Sequence, residues 1–155
     1  MIKIVVSACL LGSPVRYDGR DKKSEHSVLR RWLEEGRIVS VCPEMLGGLG
    51  TPRLPSEIVR GTWRVVTPEG RNVTDAFESG ARAAAEQASA NDVRVAILKE
   101  GSPSCGSSFV YDGTFTRTKV AGEGITTALL RERGIAVFSE EELDAADAYV
   151  TALER

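Results

Sequence analysis

The fold of this chain is indicated first by residues 2–8, which read IKIVVSA. Their β-branched side chains favour an extended strand, and so short an apolar run is typical of a strand buried on both faces. Similar apolar runs recur at residues 38–41, 93–98 and 135–138, and a segment with helical periodicity separates each run from the next. Strands that alternate with helices predict a parallel sheet whose right-handed crossovers place helices on both of its faces.

Four helices are predicted from apolar periodicity together with polar or glycine end signals. They are residues 25–35 with Ser24 as cap and Gly36 as end, residues 75–91 capped by Thr74 or Asp75, residues 124–133, and a final helix to residue 153 that starts at a capping box of Ser139 and Glu142.

The segment between the second strand and the second helix is predicted to be less regular. Residues 43–61 are rich in glycine and proline, which indicates an ordered loop with one helical turn. Residues 63–66 and 71–73 flank a turn-forming segment and predict a β-hairpin. The predicted architecture is therefore a single α/β domain over residues 1–155, a Rossmann-like three-layer arrangement with a mostly parallel sheet and a small β-hairpin insertion.

Composition excludes several classes of protein. The chain is 42% hydrophobic and 27% charged, as globular domains are, so wholesale disorder is excluded. Its 22 acidic and 20 basic residues argue against a protein whose main task is binding nucleic acid, because that task needs a basic surface. No apolar stretch approaches the roughly 18 residues of a membrane span, and the short apolar N-terminus has no basic leader. We therefore expect a cytoplasmic protein without a membrane partner.

Each of the three cysteines lies at or just beyond the end of a predicted strand. Cys9 follows the first strand, Cys42 the second, and Cys105 lies in the loop after the third. The carboxyl ends of parallel strands share one edge of a sheet, where ligands bind, so the three thiols are predicted to be neighbours. In a reducing cytoplasm an odd set of cysteines is not a disulfide framework. Metal binding is favoured, and the alternative is that the cysteines only fill the core.

The residue types favour an iron–sulfur cluster over zinc. Structural zinc takes four ligands, usually in closely spaced pairs, and the sole histidine, His26, is interpreted as a solvated helix residue. Three cysteine thiolates can hold a 4Fe–4S cluster and leave one iron open for a substrate.

Polar residues beside the cysteines are candidates for catalysis. Glu44 lies two residues after Cys42, and Ser102 lies three residues before Cys105. A carboxylate can transfer protons, and a serine hydroxyl can donate a hydrogen bond or attack. Ser104 is a weaker candidate for the same role. Loop solvation for Glu44 and turn capping for Ser102 are the alternatives.

Two further features have ordinary explanations as well as functional ones. The glycine-rich residues 47–50 lack the lysine of a P-loop, so a tight loop is favoured over a phosphate site. A group of basic residues could contact an anionic substrate, although a solvated surface is the usual role of each. The group comprises Arg16, Arg20, Lys22, Lys23 and Arg53.

Several short motifs together resemble the thiouracil desulfidase family, and they span nearly the whole chain. They are Leu10-Leu11-Gly12 after Cys9, Val15-Arg16-Tyr17-Asp18-Gly19, Cys42-Pro43-Glu44, Pro52-Arg53, and Ser102-Pro103-Ser104-Cys105-Gly106. The resemblance implies a single α/β domain whose three cysteines, Cys9, Cys42 and Cys105, bind a 4Fe–4S cluster that aerobic handling can remove. It also implies that Glu44 and Ser102 are the catalytic pair.

The same resemblance implies an enzyme that removes sulfur from thiolated uracil and releases hydrogen sulfide without net redox change. The substrate could be 2-thiouracil, 4-thiouracil or a thiolated uridine nucleotide. Thiolated transfer RNA is also conceivable, but the mild acidity and the lack of an additional domain favour a small molecule. Two alternatives stay open: a cysteine-nucleophile or other metal-dependent transferase or hydrolase, and an iron–sulfur sensor or binding module.

Overall fold

The computed structural model describes residues 1–155 and contains five helices and eight strands. In chain order they are β1 (Ile4–Ser7), a 3-10 turn (Ala8–Leu11), α1 (Ser27–Glu34), β2 (Ile38–Val41), α2 (Pro43–Leu46), β3 (Glu57–Ile58), β4 (Val65–Val66), α3 (Thr74–Ala90), β5 (Val95–Leu98), β6 (Phe109–Tyr111), β7 (Lys119–Ala121), α4 (Ile125–Glu132), β8 (Ala136–Ser139) and α5 (Leu143–Leu153).

The four strands predicted from apolar runs form one parallel sheet in the order β2-β1-β5-β8. β1 is central, with Ile4 opposite Ile38 on one side and Val95 on the other. Its side chains alternate between the two faces of the sheet. Because both faces are buried, Ile4, Val5 and Val6 are all apolar and β-branched. Ile4 and Val6 pack with Trp32 of α1 on one face, and Val5 packs on the other.

Helices cover both faces of the sheet. α1 and α5 lie on one face, where Leu29 and Leu143 join the core. α3 and α4 lie on the opposite face, where Ala85 and Leu130 are fully buried. The three-layer α/β fold is confirmed. None of the helices has the length and apolar character that crossing a bilayer requires.

Two helix starts differ from the prediction. α1 begins at Ser27 and not at residue 25, because the Nδ1 atom of His26 accepts the amide of Val28 at 3.1 Å and caps the helix. Ser24 only turns the chain before it, by accepting the amide of His26 at 3.3 Å. The interpretation of His26 as a solvated helix residue is therefore wrong.

The cap position of α3 is Val73, which makes no side-chain cap bond, so the prediction of a cap at Thr74 or Asp75 is wrong. The Asn72 Oδ1 atom accepts the amide of Thr74 at 2.9 Å at this helix start. The Thr74 hydroxyl instead accepts the amide of Val65 at 2.9 Å and ties the helix to β4. The capping box predicted at Ser139 and Glu142 is present only in part: the Glu142 carboxylate accepts the amide of Ser139 at 2.9 Å, but the Ser139 hydroxyl accepts the amide of Glu141, and α5 begins only at Leu143.

Antiparallel pairs flank the main sheet. β4 pairs with β3, and only a single bridge between Val66 and Asn72 joins it to the segment predicted as its hairpin partner. A second antiparallel pair, β6 with β7, was not predicted. The small hairpin element is thus present, with a different partner for β4.

The short helix α2 packs directly on the backbone of α3 through two glycines. A Cβ atom at Gly80 would lie 1.8 Å from the carbonyl oxygen of Pro43, and one at Gly47 would lie 2.0 Å from that of Ala76. Only glycine allows so close an approach. This contact fixes where α2 lies at the edge of the sheet.

Candidate active site

A cavity of about 620 Å³ opens at the carboxyl edge of the parallel sheet, and all three cysteines line it. Cys9 lies in the 3-10 turn after β1, Cys42 directly precedes α2, and Cys105 lies in the loop after β5. Cys9 and Cys105 are buried, Cys42 is half-buried, and all three are free thiols. The structure therefore brings together the three residues that the strand-end positions predicted to meet.

Part of each buried cysteine also serves as core. Cys9 packs against the core on the α1–α5 face, and Cys105 against the core on the α3–α4 face. Cys9 and Cys105 therefore do fill the core, and they also line the cavity.

The thiols influence one another electrostatically. Burial, reinforced by the neighbouring Cys42, raises the pKa of Cys9 to about 11. Burial also raises the pKa of Cys105 and of Cys42, and at Cys105 the charges of Glu44, Cys9 and Cys42 add to the effect. An electrophile that binds here has to displace the thiol protons, as metals do.

The donor set fits an iron–sulfur cluster. Cysteine thiolates are the ligands that such clusters use, and soft sulfur donors select them. The three cysteines line one cavity, and no group of three His, Cys, Asp or Glu side chains is arranged to hold a single metal ion. A four-iron cluster is wider than one ion, so ligands spread around a cavity suit it.

Glu44 lies in the first turn of α2 and lines the same cavity. Its Oε1 atom accepts hydrogen bonds from Nε of Arg53 at 3.2 Å, and the Arg53 Nη2 atom is also 3.2 Å away. Burial raises the pKa of Glu44, while Arg53 and the Ser102 hydroxyl act in the opposite direction. The carboxylate is held by a cation yet is partly withdrawn from water, which suits a group that exchanges protons.

The Ser102 hydroxyl lies between Glu44 and a cysteine. It donates to Oε2 of Glu44 at 3.5 Å and accepts the amides of Ser104 at 3.0 Å and Cys105 at 3.1 Å. The turn-capping role considered for Ser102 is therefore present together with the contact to Glu44. Ser104 does not line the cavity. It is fully buried, and its hydroxyl pairs with that of Thr126 at 2.7 Å.

The predicted basic group divides in two. Arg16 and Arg53 line the cavity, whereas the three other members, Arg20, Lys22 and Lys23, do not. Residues 47–50 also lie outside the cavity lining, which agrees with the tight loop that was favoured there.

Glu100 is a lining residue that sequence analysis missed. Its carboxylate accepts the amides and hydroxyls of Ser107 and Ser108, at 2.6 to 3.1 Å, and so closes the loop that carries Ser102 and Cys105. Although burial opposes it, these hydrogen bonds lower the pKa of Glu100 to about 2. Its position just after β5, the third strand predicted from the sequence, was the available signal.

Lys99, Phe115 and Arg117 also line the cavity and were not predicted. Lys99, like Glu100, follows the third strand. Phe115 and Arg117 lie between β6 and β7, and no signal in the sequence identified that hairpin.

Comparison with known proteins gives three findings. A family model described as 2-thiouracil desulfurase matches residues 4–142, a range that includes the three cysteines, Glu44 and Ser102. The uncharacterized protein YbbK of Bacillus subtilis (strain 168) is 43% identical over 149 residues, which cover 91% of this chain and 97% of that protein. A solved structure of the [4Fe-4S]-dependent thiouracil desulfidase TudS superposes with a TM-score of 0.95 at 49% identity, covering 98% of this chain and 99% of the other.

Proposed function

This chain belongs to the 2-thiouracil desulfurase family, and we propose that it removes the sulfur of a thiolated uracil as hydrogen sulfide at a 4Fe–4S cluster held by Cys9, Cys42 and Cys105. The observation that carries the proposal is that three thiols, Glu44 and Ser102 line one cavity. Water replaces sulfur at one ring carbon, so thiouracil and water give uracil and hydrogen sulfide. No electron is gained or lost overall.

The cluster, when bound, supplies a Lewis-acidic iron with an affinity for soft sulfur, a role comparable to that of the metal in metal-assisted hydrolysis. The remaining work falls to the side chains. Glu44 accepts a proton from the attacking water, and Arg53 holds the carboxylate in place from 3.2 Å. The Ser102 hydroxyl, within reach of Oε2 of Glu44, orients the carboxylate and can relay the proton.

The family match and the similarity to TudS support this activity over a cysteine nucleophile. The lining of the cavity also contains no histidine, the base that most often activates a cysteine nucleophile. We further propose that residues 1–155 act as one desulfidase domain, and that the enzyme works in the cytoplasm, where reducing conditions keep three cysteines available as ligands.

Anaerobic reconstitution tests the proposal. We expect the protein to turn brown, to bind iron and sulfide in equal amounts, and to release hydrogen sulfide from 2-thiouracil or 4-thiouracil. A loaded protein that releases no sulfide from either base, nor from their nucleotides, would contradict the activity. A colourless protein with full activity would instead support the cysteine nucleophile.

The substrate is either a free base or a nucleotide. Arg117 can distinguish between them, because only a nucleotide carries a phosphate for it to bind. Three of the cations that line the cavity have acidic partners: Arg16 with Asp18 at 3.6 Å, Arg53 with Glu44, and Lys99 with Glu140 at 2.8 Å. Arg117 is exposed and makes no salt bridge, so its charge is free for a phosphate.

Arg117→Ala is expected to raise the KM for thiouridine monophosphate about tenfold, because one hydrogen bond to a charged group is lost. The KM for free 2-thiouracil should not change, and kinetics on both substrates with loaded enzyme provide the measurement. Arg82→Ala, an exposed arginine of α3 outside the cavity, is the matched control. An equal rise for base and nucleotide would rule out a phosphate contact by Arg117.

A further inference from the structure

The loop between β6 and β7, residues 112–118, forms part of the cavity wall; we call it the rim loop. Phe115 and Arg117 of this loop line the cavity. Both residues have a left-handed backbone conformation, with φ of 59° and 60°, which residues other than glycine seldom adopt. Strain of this kind persists only where surrounding contacts impose it, and it clusters at ligand clamps and active sites.

Glu57 of β3 supplies such a contact to Phe115. A single oxygen of Glu57, Oε1, accepts the amide of Gly113 at 3.0 Å and that of Phe115 at 3.1 Å. Gly113 lies so close to β3 that an added Cβ would be 2.9 Å from the carbonyl oxygen of Ile58. The rim loop is therefore held against β3 by two hydrogen bonds from its backbone amides and by close backbone contact.

The rim loop is also closed on itself. The amide of Asp112 donates to the carbonyl of Thr118 at 3.0 Å, and the hydroxyls of Thr114, Thr116 and Thr118 form a chain with spacings of 2.6 and 2.8 Å. Hydrogen bonds within the rim loop and to Glu57 hold the loop in one conformation, so Phe115 lines the cavity in a defined orientation.

Three aromatic side chains line the cavity: Tyr17, Tyr111 and Phe115. Tyr17 is exposed, and the ring of Tyr111 is engaged edge-on by Phe109 at 6.1 Å between centroids. Phe115 is half-buried, lines the cavity and belongs to neither of the aromatic pairs in the structure, so its ring is not engaged by another ring.

We propose that Phe115 packs on the flat face of the thiolated uracil ring, and that Glu57 is the positioning residue that holds Phe115 there. This inference rests on the proposed function, because it assumes a planar pyrimidine in the cavity. An aromatic ring suits that ligand, since every base has a π-face on which it can stack.

Four variants test the inference: Phe115→Ala, Phe115→Tyr, Glu57→Ala and Glu57→Gln. Loss of a base–aromatic stack is expected to weaken binding of 2-thiouracil and to raise its KM by roughly 5- to 150-fold in Phe115→Ala. Phe115→Tyr keeps a flat ring and should behave as the parent. Glu57→Ala should raise KM as Phe115→Ala does, whereas Glu57→Gln retains an Oε1 acceptor for both amides and should restore the parent value.

The readouts are the dissociation constant of 2-thiouracil by equilibrium titration, KM and kcat separately, and iron content. Iron content and kcat should change little in all four variants, because Phe115 and Glu57 act on binding. Trp63→Ala removes an exposed aromatic outside this cavity and serves as the control.

Unchanged binding and KM in Phe115→Ala would overturn the stacking role. Equal loss in Glu57→Ala and Glu57→Gln would overturn the positioning role, because the effect would then follow the charge and not the acceptor. If the loaded parent enzyme released no sulfide at all, the proposed function would fail. The titration of 2-thiouracil would still decide the role of Phe115 separately.

Discussion

Cys105→Ala is expected to abolish cluster binding and, with it, all desulfidase activity. Cys105 supplies one of only three thiols in the cavity, whose lining has no further cysteine and no histidine, and two thiolates alone cannot hold the cluster firmly. Anaerobically reconstituted protein should contain no more iron than a metal-free blank and should release no detectable sulfide from thiouracil. The same result is expected for Cys9→Ala and Cys42→Ala.

Cys105 is also a core residue, so a folding defect has to be separated from loss of a ligand. Ser104→Ala is the matched control, since Ser104 is the buried neighbour of Cys105 and pairs with Thr126. Leaving the Thr126 hydroxyl without its partner should cost about 1–3 kcal/mol of stability, yet the variant should still bind iron. Iron retained by Cys105→Ala would disprove the ligand assignment. Iron lost from both variants would show that the loop's fold, and not the thiol, is what matters.

Glu44→Gln is expected to retain the cluster and lose turnover. The amide keeps the size of the carboxylate and one oxygen that can accept from Arg53, and its NH2 group replaces the oxygen that faces the Ser102 hydroxyl. The amide cannot take a proton from water. Arg53 stays satisfied because it also donates to the carbonyls of Val15 and Gly50, each at 3.1 Å. We expect kcat to fall roughly 10²- to 10⁴-fold, the usual contribution of a general base, with KM nearly unchanged.

The control for Glu44 is a second carboxylate at the same edge of the sheet. Glu140 pairs with Lys99 at 2.8 Å but does not line the cavity, so Glu140→Gln should keep both iron and turnover. Iron content, ultraviolet–visible spectra and sulfide release measured on both variants decide the matter. A Glu44→Gln enzyme that turns over at the parent rate would show that the proton acceptor lies elsewhere.

The sheet and the meeting of the three cysteines in one cavity could be predicted from sequence because both depend on local patterns. A β-branched run such as residues 4–7 is buried on both faces, and a cysteine next to its end has to lie at the ligand-binding edge. The one-turn helix at Pro43 was equally local. Local sequence patterns were therefore enough to predict which residues meet in the cavity. These residues are Cys9, Cys42, Cys105, Glu44 and Ser102.

The remaining features depend on contacts between distant segments. Val65 pairs with Ile58 and not with the predicted hairpin partner, and the three-residue strands β6 and β7 carry too weak a pattern to be recognised. Arg53 could be seen as a cation but not as the partner of Glu44, because its position depends on a loop that returns to Tyr17, whose carbonyl accepts the Arg53 amide. Phe115 and Glu57 were missed for the same reason.

The contact between Gly47 and Gly80 has a consequence for altering the enzyme. Glu44 owes its location to an interhelical contact of backbone on backbone, so a methyl group added at Gly80, outside the cavity, would displace α2 and Glu44 with it. Efforts to broaden the range of substrates should therefore leave this helix seam alone. They should vary the rim loop between β6 and β7, which can change shape while Glu44 stays where it is.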